Sequence, residues 1–318
     1  MLRHIPGLAA ALFAGLAALP AVAYPERPIT YIVPYTSGGG SDVGVRTWTP
    51  YAATCLGNNA SFTVVNMPGA TGAIGVAAAE KAAGDGYTLV NLNLPQFVTN
   101  PIGKAAEPDI EDFDYLGNIV GVRSVIAVRS DSEFKTLQDF VDHAKRQAGP
   151  LNVGIGGLGA DDHLAGLRFQ NMIGRTLTFI PFGDGASSRN ALLGGQVQIT
   201  FMSNSEAALF KDQVRPLAVA GAQRSDLFPD TPTFREAGYD MIAGSDHVIG
   251  TPKGAPPEVL AKLRDCLAKV SADPQFLADA AKRSMSLNVM DAAAAEAFVR
   301  EADAVYRDLW AKSPWLQK

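Results

Sequence analysis

The residues in this chain best placed to do chemistry lie in two glycine-rich loops, each between a strand-like and a helix-like segment. The first reads Tyr35, Thr36, Ser37, Gly38, Gly39, Gly40, Ser41, Asp42. Consecutive glycines let the backbone take positive φ and approach a ligand closely. The free N–H groups and positive dipole end of the helix that follows favour an anion. Asp42 is expected to cap that helix, while Thr36 and Ser37 carry hydroxyls that can meet ligand oxygens. The second loop runs Gly154, Ile155, Gly156, Gly157, Leu158, Gly159, Ala160, Asp161, Asp162. Its G-x-G-x-x-G spacing matches a dinucleotide fingerprint, and Asp184 stands near the end of the next strand, where a ribose-binding acid would lie. Against that reading, Asp161 and Asp162 put negative charge where a pyrophosphate would sit.

Other chemistry finds little footing. The chain has no G-x-S-x-G elbow and no H-E-x-x-H pair. His143, His163 and His247 show no metal-ligand spacing. His143 falls on the outer side of a helix, and His163 in the first turn after the second glycine loop. Asp246 and His247 resemble part of a catalytic relay, but no activated nucleophile is identifiable beside them. The expectation is therefore a binding protein with no cofactor, no metal and no enzymatic activity. The alternative to be tested is an exported dinucleotide-dependent oxidoreductase using Gly154–Gly159.

The elements that must carry these loops repeat. Strand Ile29–Pro34, the first loop and a helix over Val43–Leu56 lead to strand Phe62–Val65. A turn at Pro68–Gly72, an alanine-rich helix over Ala73–Ala83 and strand Tyr87–Leu92 complete the copy. The second copy is strand Leu151–Val153, the second loop, a helix over Asp162–Ile173, strand Leu177–Ile180, a loop containing Gly185, a helix over Ser187–Leu193 and strand Val197–Phe201. Such alternation predicts parallel βαβ units with helices on both faces of each sheet, and its duplication predicts two similar α/β lobes. In such sheets ligands sit at the carboxyl ends of the strands, which is where every one of these loops lies. Ser203 and Asn204, past the end of the last strand, join the candidate site with Gly185. Val125–Val128 and Pro216–Ala220 read as further strands. A helix is expected after Thr136, with Leu137, Phe140, Val141 and Ala144 at helical spacing. Prolines from Pro229 to Pro257 punctuate an irregular return to three terminal helices, one capped by Asp273 with Pro274 at its first position. These helices are expected to pack back on the first lobe, giving lobes of 24–123 with 240–318, and of 124–239.

The ends and composition bound the setting. Arg3 and His4 precede an apolar run, Leu8–Leu19, and Ala21 and Ala23 fit a small-x-small cleavage pattern. Residues 1–23 are expected to be a secretory signal, too short to remain as a membrane span. Charged residues make up 19% and hydrophobic residues 47% of the chain, with a net charge of -5. That balance suits a globular protein and gives no basic surface for nucleic acid or acidic membrane. Two cysteines, Cys55 and Cys266, permit one disulfide in an oxidising compartment.

The ordered motifs resemble the extracytoplasmic receptors of the tripartite tricarboxylate transporter family, the Bug or TctC-like proteins. The resemblance runs through Tyr24–Ile29, Ile32–Tyr35, Gly38–Asp42, Val65–Gly72, Asp85–Leu89, Gly159–Leu164, Pro181–Phe182, Leu192–Val197 and Pro252–Pro256. It implies a Venus-flytrap fold of two α/β lobes, each a mainly parallel sheet flanked by helices. It also implies a carboxylate held between the loops matching Tyr35–Asp42 and Gly156–Asp162, and delivery to an inner-membrane permease by a periplasmic, monomeric receptor. An orphan receptor that signals instead is a further alternative. Thr36 and Ser37 stand where the family usually has proline, Ala160 where it has a hydroxyl, and Asp161 and Asp162 where it has small or neutral residues. Ser245–Val248 replaces its aromatic stretch. These departures point to an organic acid whose other end is an amino, amide or heterocyclic donor.

Overall fold

The computed structural model describes residues 24–38, 40–102, 108–183, 185–283 and 285–315. The expected leader, Gly39 and Asp184 lie outside them. In chain order the strands are β1 Ile29–Val33, β2 Phe62–Asn66, β3 Thr88–Leu94, β4 Phe113–Arg129, β5 Asn152–Ile155, β6 Thr178–Pro181, β7 Ile199–Ser203, β8 Val214–Val219, β9 Gly244–Pro252 and β10 Leu287–Met290. The helices are α1 Gly40–Leu56, α2 Ala73–Glu80, α3 Gln96–Thr99, α4 Leu137–Arg146, α5 Asp161–Ile173, α6 Gly185–Leu193, α7 Asn204–Leu209, α8 Pro257–Ser271, α9 Pro274–Lys282 and α10 Ala292–Lys312.

Each glycine-loop repeat forms a parallel core. β1 lies between β2 and β3, and β5 between β6 and β7, all parallel. The two sets are joined through β4, whose seventeen residues run through both sheets. Its first part pairs antiparallel with β9 and β10, and its last residues pair with β7 and β8. β9 in turn pairs antiparallel with β3. The result is a curled sheet in two halves, with apolar side chains buried on both faces of each. Tyr31, Trp48, Leu263 and Phe276 pack between the first half and α1, α8 and α9, while Val90, Leu92, Val299 and Leu309 pack beneath α10. In the second half Phe140, Phe169 and Phe201 fill one face, and Leu192 and Met202 the other.

Local signals explain most boundaries. Thr136 accepts from Asp139 N–H while Asp139 accepts from Thr136 N–H, a reciprocal cap for α4. Asp273 accepts from the N–H groups of Gln275 and Phe276, with Pro274 opening α9. The expected irregular return differs: it contains β9, buried along most of its length in mid-sheet. The strand expected at Val125–Val128 is the end of the much longer β4, whose pairing with β9 shifts register at Tyr115/Gly117 and Asn118/Val120. Those irregularities break the alternation by which a strand is recognised. β5 runs on through Ile155, so Gly154 belongs to the strand. A Cβ there would lie 2.7 Å from Ser188 Oγ of α6, so this glycine serves close helix packing.

The chain passes between the halves at Arg123–Ser124 in β4 and at Ala243–Gly244 entering β9. Ser124 N–H donates to Ala243 O at 2.9 Å, and Ala243 N–H to Ala220 O at 3.0 Å, so the passages run side by side. Gly244 has φ 152, and a Cβ would stand 2.0 Å from Val122 O; no larger residue fits between the passages.

Candidate functional site

A cleft of about 400 Å³ opens beside these passages. The first half contributes Gly38, Gly40 and Val43 at the start of α1, Val120 and Val122 of β4, Ser245 and His247 of β9, and Arg283, Met285 and Ser286 after α9. Across from them stand Asp161 at the start of α5, and Ser203 and Ser205 at the end of β7 and the start of α7. Arg123, Ser124 and Gly244 form the floor at the passages. Five serines thus present hydroxyls to one space, and Ser205 Oγ meets Ser286 Oγ at 3.2 Å from opposite sides. Each hydroxyl can donate to or accept from a ligand.

Of the expected site residues, Gly38, Asp161 and Ser203 line the cleft. The other described ones support it or lie outside. Asp42 turns into its own loop: its carboxylate accepts from Gly38 N–H at 2.9 Å, from Ser37 Oγ, from Asn66 Nδ2 and from Arg46 Nε. Burial opposes ionisation there, but the Arg46, Gly38 and Asn66 donors hold the group down at about 2. Ser41 is buried and accepts from Asn93 Nδ2 at 2.8 Å. Thr36 is exposed, away from the lining. The Tyr35 hydroxyl donates to Thr71 O at 3.4 Å. Asn204 is a brace, its Oδ1 accepting from the N–H groups of Arg123 and Ser205 and its Nδ2 donating to Ser225. Gly185 opens α6, beyond the lining.

The paired acids of the second loop divide their duties. Asp162 is buried and accepts from Gly156 N–H and from His163 N–H at 2.8 Å. It thereby occupies the Gly156 amide, which a dinucleotide phosphate would need. Desolvation, then the neighbouring Asp161 charge, pushes Asp162 up to about 7. Asp161 faces the cleft, and desolvation also raises it. Its charge reaches across to Tyr35, whose hydroxyl is raised by burial first and by Asp161 second. The rest of the loop is braced by Ala160 N–H on Gly157 O and by Gly159 N–H on His163 Nδ1, at 3.2 and 3.0 Å. His163 packs edge-on against Phe179, and burial holds it down at about 4.

The residues missed by reading loops alone come from β4, β9 and the segment after α9. Arg123 forms a two-pronged ion pair with Asp246, at 2.6 and 2.8 Å, and Asn288 Nδ2 adds a third bond to Asp246 at 2.7 Å. Arg283 is exposed and makes no ion pair among the described residues, so it is the cleft's unneutralised cation. His247 lies buried on the first side, and its Nδ1 has no partner among the described residues. The polar run Ser245–His247 was the available signal, because such residues in a buried strand need a polar space or partner.

Burial holds His247 down at about 4, against the pull of Asp246. Its folded value lies below its unfolded one, so its contribution to stability is complete above about pH 6.5 and is lost as pH falls toward 4. Between pH 7.5 and 4.5 urea unfolding should show a loss of about 2–3 kcal/mol that His247→Gln lacks. Parallel pH profiles would place the charge elsewhere.

Two helix-flanked half-sheets, joined by paired strand passages with a polar cleft beside them, define a two-lobed solute-binding protein. Residues 52–310 match the family model described as the tripartite tricarboxylate transporter family receptor. A UPF0065 protein in the gbd 5′ region of Cupriavidus necator is 32% identical over 285 residues, covering 88% of this chain and 86% of that one. The chain belongs to the tripartite tricarboxylate transporter receptor family. A TctC solute-binding protein from Polaromonas superposes with a TM-score of 0.82 at 30% identity, covering 91% of this chain and 99% of that one. MatC from Rhodopseudomonas palustris, solved with bound malate, shares the fold with a TM-score of 0.73 at 23% identity, covering 90% and 99%.

Proposed function

We propose that this protein is a periplasmic receptor that captures a small organic acid between its lobes, 24–123 with 240–318 and 124–239, and delivers it to a tripartite tricarboxylate-type permease. The observation that carries the reading is the cleft itself, with five serine hydroxyls, the unpaired Arg283 and the Asp161 carboxyl facing one open space. Arg283 and the hydroxyls suit a carboxylate. Asp161 repels a second carboxylate when ionised and accepts from an amino, amide or ring N–H donor. An organic acid with such a donor end therefore fits better than a plain tricarboxylate. The relative with bound malate supports a carboxylate as the anchoring group.

Closure about the passages at Arg123–Ser124 and Ala243–Gly244 would add contacts from both lobes, so ligand shifts the population toward the closed form. No helix among the described residues is long and apolar enough to cross a membrane.

Isothermal titration with matched acids, such as aspartate and succinate or pyrrole-2-carboxylate and furan-2-carboxylate, tests the assignment. The donor-bearing member should bind more tightly. Asp161→Asn should cost it about 10- to 100-fold, the range of a charge-assisted hydrogen bond, while binding of the plain acid holds or improves. Equal losses for both members would remove Asp161 from ligand selection.

A further inference from the structure

The two cysteines lie far apart in the chain and side by side in the fold. Cys55 stands in the last turn of α1, and Cys266 faces it from the middle of α8. The Cys55 Sγ lies 3.8 Å from Cys266 O, and the Cys266 Sγ lies 3.5 Å from Ala52 O, one turn back along α1. Burial first, and then the neighbouring Cys55 thiol, raises Cys266. Both are free thiols in this structure.

Their surroundings divide the labour of an exchange reaction. Cys266 is buried, while Cys55 is half-buried and lines a surface groove of about 300 Å³ with Tyr51, Thr54 and Lys269. One sulfur is reachable by an oxidant, and the other stands ready behind it.

We infer that Cys55 and Cys266 form a cystine site, loaded by thiol–disulfide exchange with an oxidised dithiol catalyst or oxidised glutathione. The Cys55 thiolate attacks the oxidant's disulfide, forming a mixed disulfide and releasing one oxidant thiolate. Cys266, deprotonated, then attacks Cys55 Sγ and expels the second thiolate. Two thiol protons pass to the oxidant's sulfurs, which leave as the catalyst's dithiol or as two glutathione thiols, and one S–S bond remains in the protein. The bond ties α1, whose N-terminus walls the cleft, to α8, which follows the second passage. It would hold the first lobe together around a loop of more than two hundred residues. Oxidation in the cell rests on the proposed export; the pairing does not.

The test uses the full chain with its leader, recovered from the periplasm, denatured and alkylated before and after reduction, with peptide mapping by mass spectrometry. The expected result is no alkylation before reduction, two alkylated cysteines after it, and a cross-linked peptide joining residues 55 and 266. Reduction should lower the thermal midpoint by about 5–10 °C, and Cys55→Ser should reproduce that lower midpoint without reductant. A second sample, residues 24–318 made in the cytoplasm, is exposed folded to oxidised glutathione. Bridging in both samples upholds the inference. Bridging by glutathione alone upholds the pairing and counts against export. Two reactive thiols in both samples, with the fold intact, would overturn it.

Discussion

Replacing Arg123 with Met should cost the protein about 3–5 kcal/mol, the penalty for leaving one partner of a buried ion pair uncompensated. Asp246 is 2% exposed and relies on the Arg123 guanidinium, with Asn288 as its remaining side-chain donor. Gly121 packs directly against the pair, since a Cβ there would lie 2.4 Å from Asp246 Oδ1. The thermal midpoint should fall by about 5–10 °C. Arg123→Met combined with Asp246→Leu should recover much of the loss, since removing both charges removes the uncompensated one. If the single variant unfolds like the parent, the pair is not a structural tie at the lobe passages. Arg123 also lines the cleft, so the bonds that tie it to Asp246 at the passages fix one wall residue of the site.

Arg283→Glu should weaken binding of the anchoring carboxylate by about 100-fold or more, measured by titration calorimetry. A charge-assisted hydrogen bond contributes about 1.5–3 kcal/mol, and reversing the charge adds repulsion. Stability should hardly change, because Arg283 is exposed and unpaired among the described residues. That separation distinguishes a ligand contact from a structural residue. Unchanged affinity would move the carboxylate to the serines and the α1 amides beside Gly38 and Gly40.

The two predictions concern residues that the glycine loops do not point to, and the reason is physical. β1 to β3 and β5 to β7 are set by local signals: β-branched strands, glycine turns and amphipathic or alanine-rich helices, all within short spans. Those signals brought Gly38, Asp161 and Ser203 to the cleft. Arg123, Ser245 and His247 arrive there through pairing between residues more than a hundred apart, as in Gly121 with Asp246, and Arg283 at the end of α9. No local periodicity encodes such register. The first part of β4 is further disguised by its bulges, and β9 opens on Ser245, Asp246 and His247, which read as loop until the buried salt bridge supplies a partner. The acid pair of the second loop was visible, but its division was not. Asp162 turns inward because Gly156 N–H and His163 N–H converge on it, a matter of backbone geometry.

The most direct test of the account is a thermal-shift and calorimetric titration of residues 24–318 against small organic acids, amino acids, heterocyclic acids and NAD(P). A ligand at about a hundred times its dissociation constant should stabilise the fold by about 2.7 kcal/mol, a shift of several degrees. The account predicts one-to-one binding by a donor-bearing carboxylate, weakened about 100-fold or more by Arg283→Glu, and no response to nucleotides. Stabilisation by NAD(P), with none by any acid, would contradict it.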